Sequence, residues 1–514
     1  MRKIRNIFIG FLVAFSTSAF AEEAGSFKQT IANFSQSVDG FFNDYTGWFV
    51  SLIFKSVPIG EVGFPIIVGW LLLAAFIFTL YFGFVQFRRA GMAIDIVKGK
   101  YTDPNSKEEG EVSHFQALTT ALSGTVGLGN IAGVGVALAI GGPGATFWMI
   151  LCGLLGMASK FCECTLGVKY RTILPSGAVS GGPMYYLSQG LKEKGLGGLG
   201  KVLAVGFAVT CILAALGAGN MFQANQAHAM LSYAFDVPSE YGLITGIVLA
   251  ALVFSVIVGG MPSIASVTEK IVPWMAALYI GMALIVIVGN IGQVGAAFGA
   301  IFAGAFTGAG VAGGFIGALI QGLKRATFSN EAGVGSAAIA HSAVKTKEPI
   351  TEGLVSLLEP FVDTVVICTM TALVITIAGL NVGPYDGSGL TGVTLTAASF
   401  TETAGIFKYL LAIAVVMFAF STMISWSYYG LKSWTYLFGE GKTPEMVFKA
   451  LFCVFVIVGA TIQFGAVIDF SDAALFAMSI FNIIGLYFLM PVVKKELASF
   501  IARVKSGEIK TYEK

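Results

Sequence analysis

The sequence predicts an all-α integral membrane protein with about eleven transmembrane helices. Of its 514 residues, 56% are hydrophobic and 12% are charged, whereas an ordinary soluble domain is about one-quarter charged. Apolar runs long enough to cross a bilayer recur along the whole chain, and the alternating segments typical of an outer-membrane barrel do not occur in it. The formal net charge of +2 does not indicate binding to nucleic acid, because the charges cluster in loops.

The chain begins with a pattern typical of a secretory signal peptide. A basic start is followed by a short apolar core and an Ala-Phe-Ala cleavage motif, after which the sequence becomes acidic. We expect residues 1–21 to be removed and the segment 22–61 to be exported. An uncleaved signal anchor is the alternative.

The predicted spans begin with an extra N-terminal helix within 62–100, at about 64–85. Ten further spans are centred near 113–140, 145–167, 201–231, 240–260, 271–289, 312–343, 354–379, 405–429, 447–467 and 473–492.

Lys and Arg residues concentrate in alternate loops. If the first mature span starts outside, the inner loops hold sixteen basic residues, the first of which is Arg88 and the last Lys495, and the outer loops hold little beyond Lys28, Lys55 and Lys408. This positive-inside bias predicts a multi-pass protein of the bacterial cytoplasmic (inner) membrane. Its mature N-terminus is predicted to be outside and its C-terminus cytoplasmic.

One glycine-rich phrase occurs twice. GNIAGVGVA begins at Gly129, and SNEAGVGSA begins at Ser329. The copies fall in the second and seventh mature spans, so they cross the membrane in opposite directions. This predicts an inverted repeat of five plus five spans. The predicted divisions are 101–290, 291–493 and a cytoplasmic tail at 494–514.

Both copies predict a broken helix. Glycine costs about 1 kcal/mol against alanine in a helix interior, and unwound backbone at membrane depth persists only where it is buried or lines a wet cavity. Such a break offers carbonyl groups to a cation and amide groups to a carboxylate. The alternative is that the glycines form helix-packing faces, which we expect for Gly133, Gly135, Gly333 and Gly335.

Oxygen atoms near the first break can supply a sodium site, because sodium prefers hard oxygen ligands. The candidates are the carbonyl groups of Ser123 and Val126, with the Phe418 carbonyl and the hydroxyl groups of Ser421 and Thr422. The alternative for the two hydroxyl groups is a bond back to their own helical turn.

Three stretches resemble a known family. GGPGATFWMILCGLLG from Gly141, SNEAGVGSAAIAHSA from Ser329 and the TVGLGN run from Thr125 closely resemble the alanine or glycine:cation symporters, the sodium/alanine symporter family. The resemblance covers nearly the whole chain after about residue 60. It implies a LeuT-like core of ten helices preceded by one extra helix, and uptake of alanine, and often glycine, driven by sodium.

The resemblance also implies where the ligands bind. The sodium ion is expected between the first and eighth core helices, at the oxygen atoms named above. The amino acid is expected beside it, in a pocket lined by Gly127, Gly129, Asn130, Gln226, Phe328, Thr422 and Trp426. For Trp426, an interfacial anchor is the alternative. For Gln226, the nearby Gln223 and Asn225 are alternatives.

Ionisable residues within the spans are costly and usually functional. Glu331 replaces Ile131 of the first copy, and we expect it to act as a structural cap or gate, or else as a substrate ligand. Glu359 and Asp363 are predicted to share one helix face and to pair with Lys324, Arg325 or Lys160. A proton relay through Glu331, Glu359 or Asp363 leaves a proton-coupled permease for small amino acids as the alternative function.

An enzyme is not expected. The histidines His114, His228 and His341 are predicted to lie far apart, with His341 at a surface, and the sequence holds no HExxH or GxSxG motif. Cys162-Glu163-Cys164 is too tight for a metal framework. The expected partners are a small neutral amino acid and the lipid bilayer. A monomer suffices for transport, and the sequence leaves the oligomeric state open.

Overall fold

The computed structural model describes residues 44–101, 110–174, 177–307, 314–382 and 389–512, with separate positions from 33 to 42. The predicted signal peptide lies outside the described residues.

A hairpin and one apolar helix precede the core. Strand β1 (Ser56–Ile59) pairs antiparallel with β2 (Val62–Pro65), a hairpin that the sequence does not predict. Helix α1 (Ile66–Tyr81) is the predicted extra helix, and it ends earlier than expected because Gly83 and Phe84 adopt left-handed backbone conformations. Two short helices follow: α2 (Val85–Arg88) and α3 (Ala90–Val97).

The first predicted repeat contains five spans, two of which have π-helical segments. Helix α4 starts at a capping box, in which the Ser113 and Gln116 side chains bond each other's backbone amides. In chain order the elements are α4 (His114–Thr125), a π segment (Gly129–Gly133), α5 (Val134–Gly141), α6 (Ala145–Lys169), β3 (Thr172–Ile173), β4 (Val179–Ser180), α7 (Pro183–Glu193), α8 (Gly197–Leu216), a π segment (Gly217–Met221), α9 (Phe222–Phe235), a 3₁₀ turn (Ser239–Tyr241), α10 (Gly242–Ile257) and α11 (Gly260–Gly289).

The second predicted repeat also contains five spans, with one helix before its first span and another before its third, where α7 lies in the first repeat. In chain order the elements are α12 (Ile291–Thr307), α13 (Gly314–Asn330), α14 (Ala337–His341), α15 (Pro349–Ser356), α16 (Leu358–Pro360), a π segment (Phe361–Cys368), α17 (Thr369–Val382), α18 (Gly392–Thr403), α19 (Phe407–Phe438), α20 (Lys442–Thr461) and α21 (Phe464–Ser506).

Helix lengths agree broadly with the predicted spans. Within the described residues, eight helical segments are long and apolar enough to cross a membrane, and the bent pair α4 and α5 makes a ninth. The other two predicted spans correspond to α1, which is short, and to α13 with α14, which is interrupted. Helices α12 and α18 lie between spans and were not predicted as elements.

The first break has the predicted position. Helix α4 ends at Thr125, and the helical chain resumes at Gly129 after a bend of 46°. Gly135, in the half-helix that follows, lies so close to the Gly392 carbonyl that a β-carbon would overlap it. It is therefore a packing glycine, as expected.

The second break differs in detail from the prediction. Helix α13 continues to Asn330, and helical structure resumes at Ala337. Glu331, Gly333 and Gly335 have φ angles of 57°, 85° and 95°. The two glycines supply left-handed turns of the break. Gly335 is also a packing position as expected, because a β-carbon there would overlap Pro183.

Candidate functional site

The first break lies against the middle of α19. The Thr422 hydroxyl donates a hydrogen bond to the Ser123 carbonyl at 2.8 Å, and both residues are buried. A β-carbon at Gly127 would overlap the Thr422 hydroxyl. The close approach of the two helices therefore depends on the missing side chain at Gly127.

Four of the five candidate sodium ligands are linked here. The Ser123 hydroxyl donates to the Ser421 carbonyl at 3.2 Å, and the Ser421 hydroxyl donates to the Phe418 carbonyl at 3.0 Å. Ser421 thus bonds to its own turn, whereas Thr422 reaches across to the break. The fifth candidate, Val126, is buried at the C-terminal end of α4. These neutral oxygen atoms are the type of ligand that sodium prefers, and their role stays a prediction.

A small cavity of about 10 Å³ lies between the two breaks. This is room for about one water molecule, so an amino acid fits only after the lining side chains move apart. Three of the predicted substrate residues line it. The lining residues are Gly124, Thr125, Gly129, Ala218, Gln223, Phe328, Glu331, Trp426 and Leu475.

Glu331 closes one side of this cavity. Its carboxylate accepts a hydrogen bond from the Trp426 indole at 3.0 Å and another from the Ser336 hydroxyl. Trp426 is only 2% exposed, which excludes the alternative of an interfacial anchor. The mismatch between the two copies of the glycine phrase therefore places a carboxylate in direct contact with a predicted substrate residue.

The side chain of Asn130 organises the first break instead of facing the cavity. Its oxygen accepts from the Gly127 amide at 2.9 Å, and its nitrogen donates to Asp363 at 2.7 Å. Asp363 also accepts from the Ser329 hydroxyl at 2.7 Å. This carboxylate joins the two broken helices, so the prediction that it pairs with a basic side chain is wrong.

Gln226 is not among the residues that line the cavity. Its oxygen accepts from the Val393 amide at 3.0 Å, and its nitrogen donates to Asn225 at 2.9 Å, so it contacts the start of α18. Gln223, one helical turn earlier, accepts from the Leu128 amide at 3.1 Å and lines the cavity. The sequence places both glutamines on one helix and does not show which turn lies beside the break.

The three basic residues considered as partners for Glu359 and Asp363 pair with two different carboxylates. The Lys160 ammonium nitrogen lies 3.3 Å from a carboxylate oxygen of Glu359, which is one of the pairings that the sequence predicted. Arg325 and Lys324 instead pair with Asp472 of α21, with the Lys324–Asp472 separation at 3.2 Å. The sequence predicts no partner in α21, because that contact joins positions far apart along the chain.

The histidine predictions are wrong for two of the three residues. His341 is fully buried, and its two ring nitrogens contact the carboxylates of Glu352 and Glu359, the latter at 2.5 Å. His114 contacts the other oxygen of Glu352. Only His228 lies apart from this group, and it contacts Thr245 at 3.0 Å.

Cys164 lies beside the same group. Its sulfur, His341 and Glu359 offer ligand atoms within 4.8 Å of one another. The Lys160 ammonium forms an ion pair with Glu359, and its positive charge disfavours a metal cation at this position.

Comparison with known proteins gives one family. Residues 51–514 match the model of the sodium:alanine symporter family. The chain is 45% identical over 435 residues to the sodium/alanine symporter AgcS of Methanococcus maripaludis, covering 84% of this chain and 93% of that protein. It is 32% identical over 437 residues to the amino-acid carrier protein AlsT of Bacillus subtilis, covering 84% and 88%.

A solved structure shares the fold. The crystal structure of MhsT in complex with L-phenylalanine aligns with 76% of this chain and 99% of its own, with a TM-score of 0.53 and 15% sequence identity. The chain therefore has the LeuT-like fold.

Proposed function

The chain belongs to the sodium:alanine symporter family, and we propose that it is a secondary active transporter that imports alanine with sodium by alternating access. The observation that carries the proposal is the junction of Ser123 and Thr422 beside a cavity lined by residues of both broken helices. Family membership and a relative named as a sodium/alanine symporter support the same conclusion.

The decisive test is uptake into proteoliposomes under separate ion gradients. We expect alanine uptake to collapse when the sodium gradient is removed. The proton-coupled alternative predicts strong uptake in sodium-free buffer with a proton gradient alone, and that result would overturn the sodium proposal. Competition with glycine, serine and D-alanine in the same assay establishes the substrate range.

The site favours a small zwitterion. Gly129 has no side chain, so the backbone of the first break itself lines the cavity. The rings of Phe328 and Trp426 limit the space for a substrate side chain. A methyl group or a hydrogen atom suits this space, which supports alanine and glycine as substrates. Gly127 and Asn130 affect substrate binding indirectly, because their hydrogen bond fixes the backbone path of the first break.

We expect Trp426→Ala to weaken alanine binding by about tenfold or more, which corresponds to about 1.4 kcal/mol. The change removes both the cavity wall and the hydrogen bond to Glu331. Binding of radiolabelled alanine to purified protein measures the effect. Trp274→Ala is the matched control, because Trp274 is 74% exposed on α11. Wild-type affinity in the Trp426 variant would refute the pocket.

We expect the double substitution of Ser421→Ala and Thr422→Ala to raise the sodium concentration for half-maximal uptake by about tenfold. It removes two hydroxyl oxygens from the proposed ion site. Sodium activation curves at saturating alanine measure the change. Ser427→Ala is a control on the same helix, since its hydroxyl bonds only to its own turn among the contacts described. An unaltered activation curve would remove α19 from the ion site.

We propose a location in the bacterial inner membrane, with the mature N-terminus outside and the C-terminal tail in the cytoplasm. The distribution of Lys and Arg supports this orientation. It places the end of α14 and the start of α4 on the cytoplasmic side.

A further inference from the structure

The cytoplasmic ends of the two broken helices are joined by backbone hydrogen bonds. Just before α4, the amides of Glu111 and Val112 donate to the Ala343 carbonyl at 2.7 and 3.2 Å, and the Lys345 amide donates to the Val112 carbonyl at 2.8 Å. Arg171 adds bonds to the Ser342 and Thr346 carbonyls at 2.9 and 2.8 Å. We call these contacts the inner joint. Alternating access through this end of the protein requires the inner joint to separate.

A row of buried acidic and basic side chains lies directly behind the inner joint. It runs from His114 of α4 to Glu352 of α15, then to His341 of α14, Glu359 of α16 and Lys160 of α6. All but His114 are fully buried, and His114 is 8% exposed. The row therefore connects the first broken helix to the second across the surface that must open.

The geometry requires an extra proton in this row. A neutral imidazole has one N–H donor and one acceptor nitrogen, and an ionised carboxylate only accepts. Both nitrogens of His341 contact carboxylate oxygens. Either His341 is an imidazolium, or one of Glu352 and Glu359 is protonated.

The charge balance agrees with the hydrogen bonds. With His341 as an imidazolium, it and Lys160 neutralise Glu352 and Glu359, whereas loss of the proton leaves a buried excess of negative charge. Among the described residues, the other groups that face the row do not supply another fixed positive charge next to it. They are His114 from α4, Glu163 and Cys164 from α6, Glu331 from the second break, Tyr429 from α19 and Arg171, whose guanidinium binds the carbonyls of the inner joint.

We propose that Glu352, His341 and Glu359 form a proton-binding site that holds the inner joint closed. Opening separates His114 from Glu352 and admits water, so the carboxylates no longer need the shared proton. The proton then leaves to the cytoplasm, and it returns when the joint closes. Closed protein binds the proton more tightly than open protein, and by linkage a rise in pH favours opening. This inference rests on the proposed alternating access and orientation.

Hydrogen exchange measured by mass spectrometry reports opening of the inner joint, because the amides of Glu111, Val112 and Lys345 can exchange only when their hydrogen bonds break. After correction for intrinsic exchange, we expect their protection in the wild type to fall as the pH rises, by at most about tenfold per pH unit. That slope is the limit for release of one proton. Amides within α20 serve as an internal reference.

Glu352→Gln should remove this pH response, because a glutamine amide donates to a neutral His341 and no extra proton is needed. Glu348→Gln is the matched control: Glu348 lies one turn earlier and pairs with Arg503 outside the row. It should respond as the wild type does. His341→Gln is a second variant. Protection of the α20 amides shows whether each variant is folded, and any variant that keeps wild-type protection there must lack the pH response.

Equal protection at all pH values in the wild type, or a wild-type response in those variants, would overturn the proton site. Sodium-driven alanine uptake by the same preparations is measured separately. Absent uptake with a normal pH response in the exchange experiment would refute the transport proposal alone, and normal uptake without that response would refute the proton site alone.

Discussion

Gly127→Ala is expected to lower sodium-driven alanine uptake by about 100-fold or more. The new β-carbon would overlap the Thr422 hydroxyl and lie 3.3 Å from the Gln223 side-chain oxygen. The first break would be pushed from α19, and the bond between Thr422 and the Ser123 carbonyl would be lost. A displacement of about 1 Å at a reacting or binding centre can cost about 100-fold, and the proposed substrate and sodium sites share the displaced backbone.

Gly281→Ala is the control for this change. Gly281 lies inside α11, and a β-carbon there would meet no other atom within 4 Å. Alanine also favours a helix by about 1 kcal/mol over glycine, so this variant should fold and transport like the wild type. Normal uptake by the Gly127 variant would show that the contact between the break and α19 is not needed for transport.

Asp363→Ala is expected to abolish uptake and to reduce thermal stability. Its carboxylate accepts hydrogen bonds from Asn130 and Ser329, one residue on each broken helix. Removing the carboxylate takes the strongest acceptor from two buried donors, which keep only the Asp363 backbone carbonyl and the Cys368 sulfur as partners, and a buried donor that loses its acceptor costs up to about 1–3 kcal/mol. Asn130 would keep its bond to the Asp363 backbone carbonyl at 3.1 Å and lose the carboxylate bond that helps to direct its oxygen toward the Gly127 amide.

Asp95→Ala provides the comparison for Asp363. Asp95 forms an ion pair with Lys100, with side chains 37% and 44% exposed, and such pairs contribute little. Melting temperature and alanine uptake should be measured for both variants. If Asp363→Ala retains wild-type melting and uptake, the carboxylate does not hold the two broken helices together.

The parts of the site that were predictable from sequence depend on local composition. Glycines at Gly127 and Gly129 destabilise a helix wherever they occur, so the first break could be placed without knowledge of its neighbours. The repeated phrase likewise identified the second break and singled out Glu331. Helix length and hydropathy predicted the order of the spans.

The parts that were missed depend on contacts between distant segments. His341 is an ordinary helix-end residue until Glu352 and Glu359 are folded against it, and only the tertiary structure brings His114 to the same carboxylate. The choice between Gln223 and Gln226 depends on which turn of α9 packs against the first break, and the sequence does not show this. One helical turn decides which of them reaches the cavity.

The three π-helical segments have a consequence for how the site changes shape. They contain Asn130, Ala218 and Asp363, which lie at the first break, the cavity wall and the bond between the broken helices. A π turn accommodates one residue more than an α turn. Its conversion to α geometry would rotate the residues beyond it by roughly 100° about the helix axis. Each of these helices can therefore change which side chains it presents to the site by shifting its phase, while most of its backbone hydrogen bonds persist.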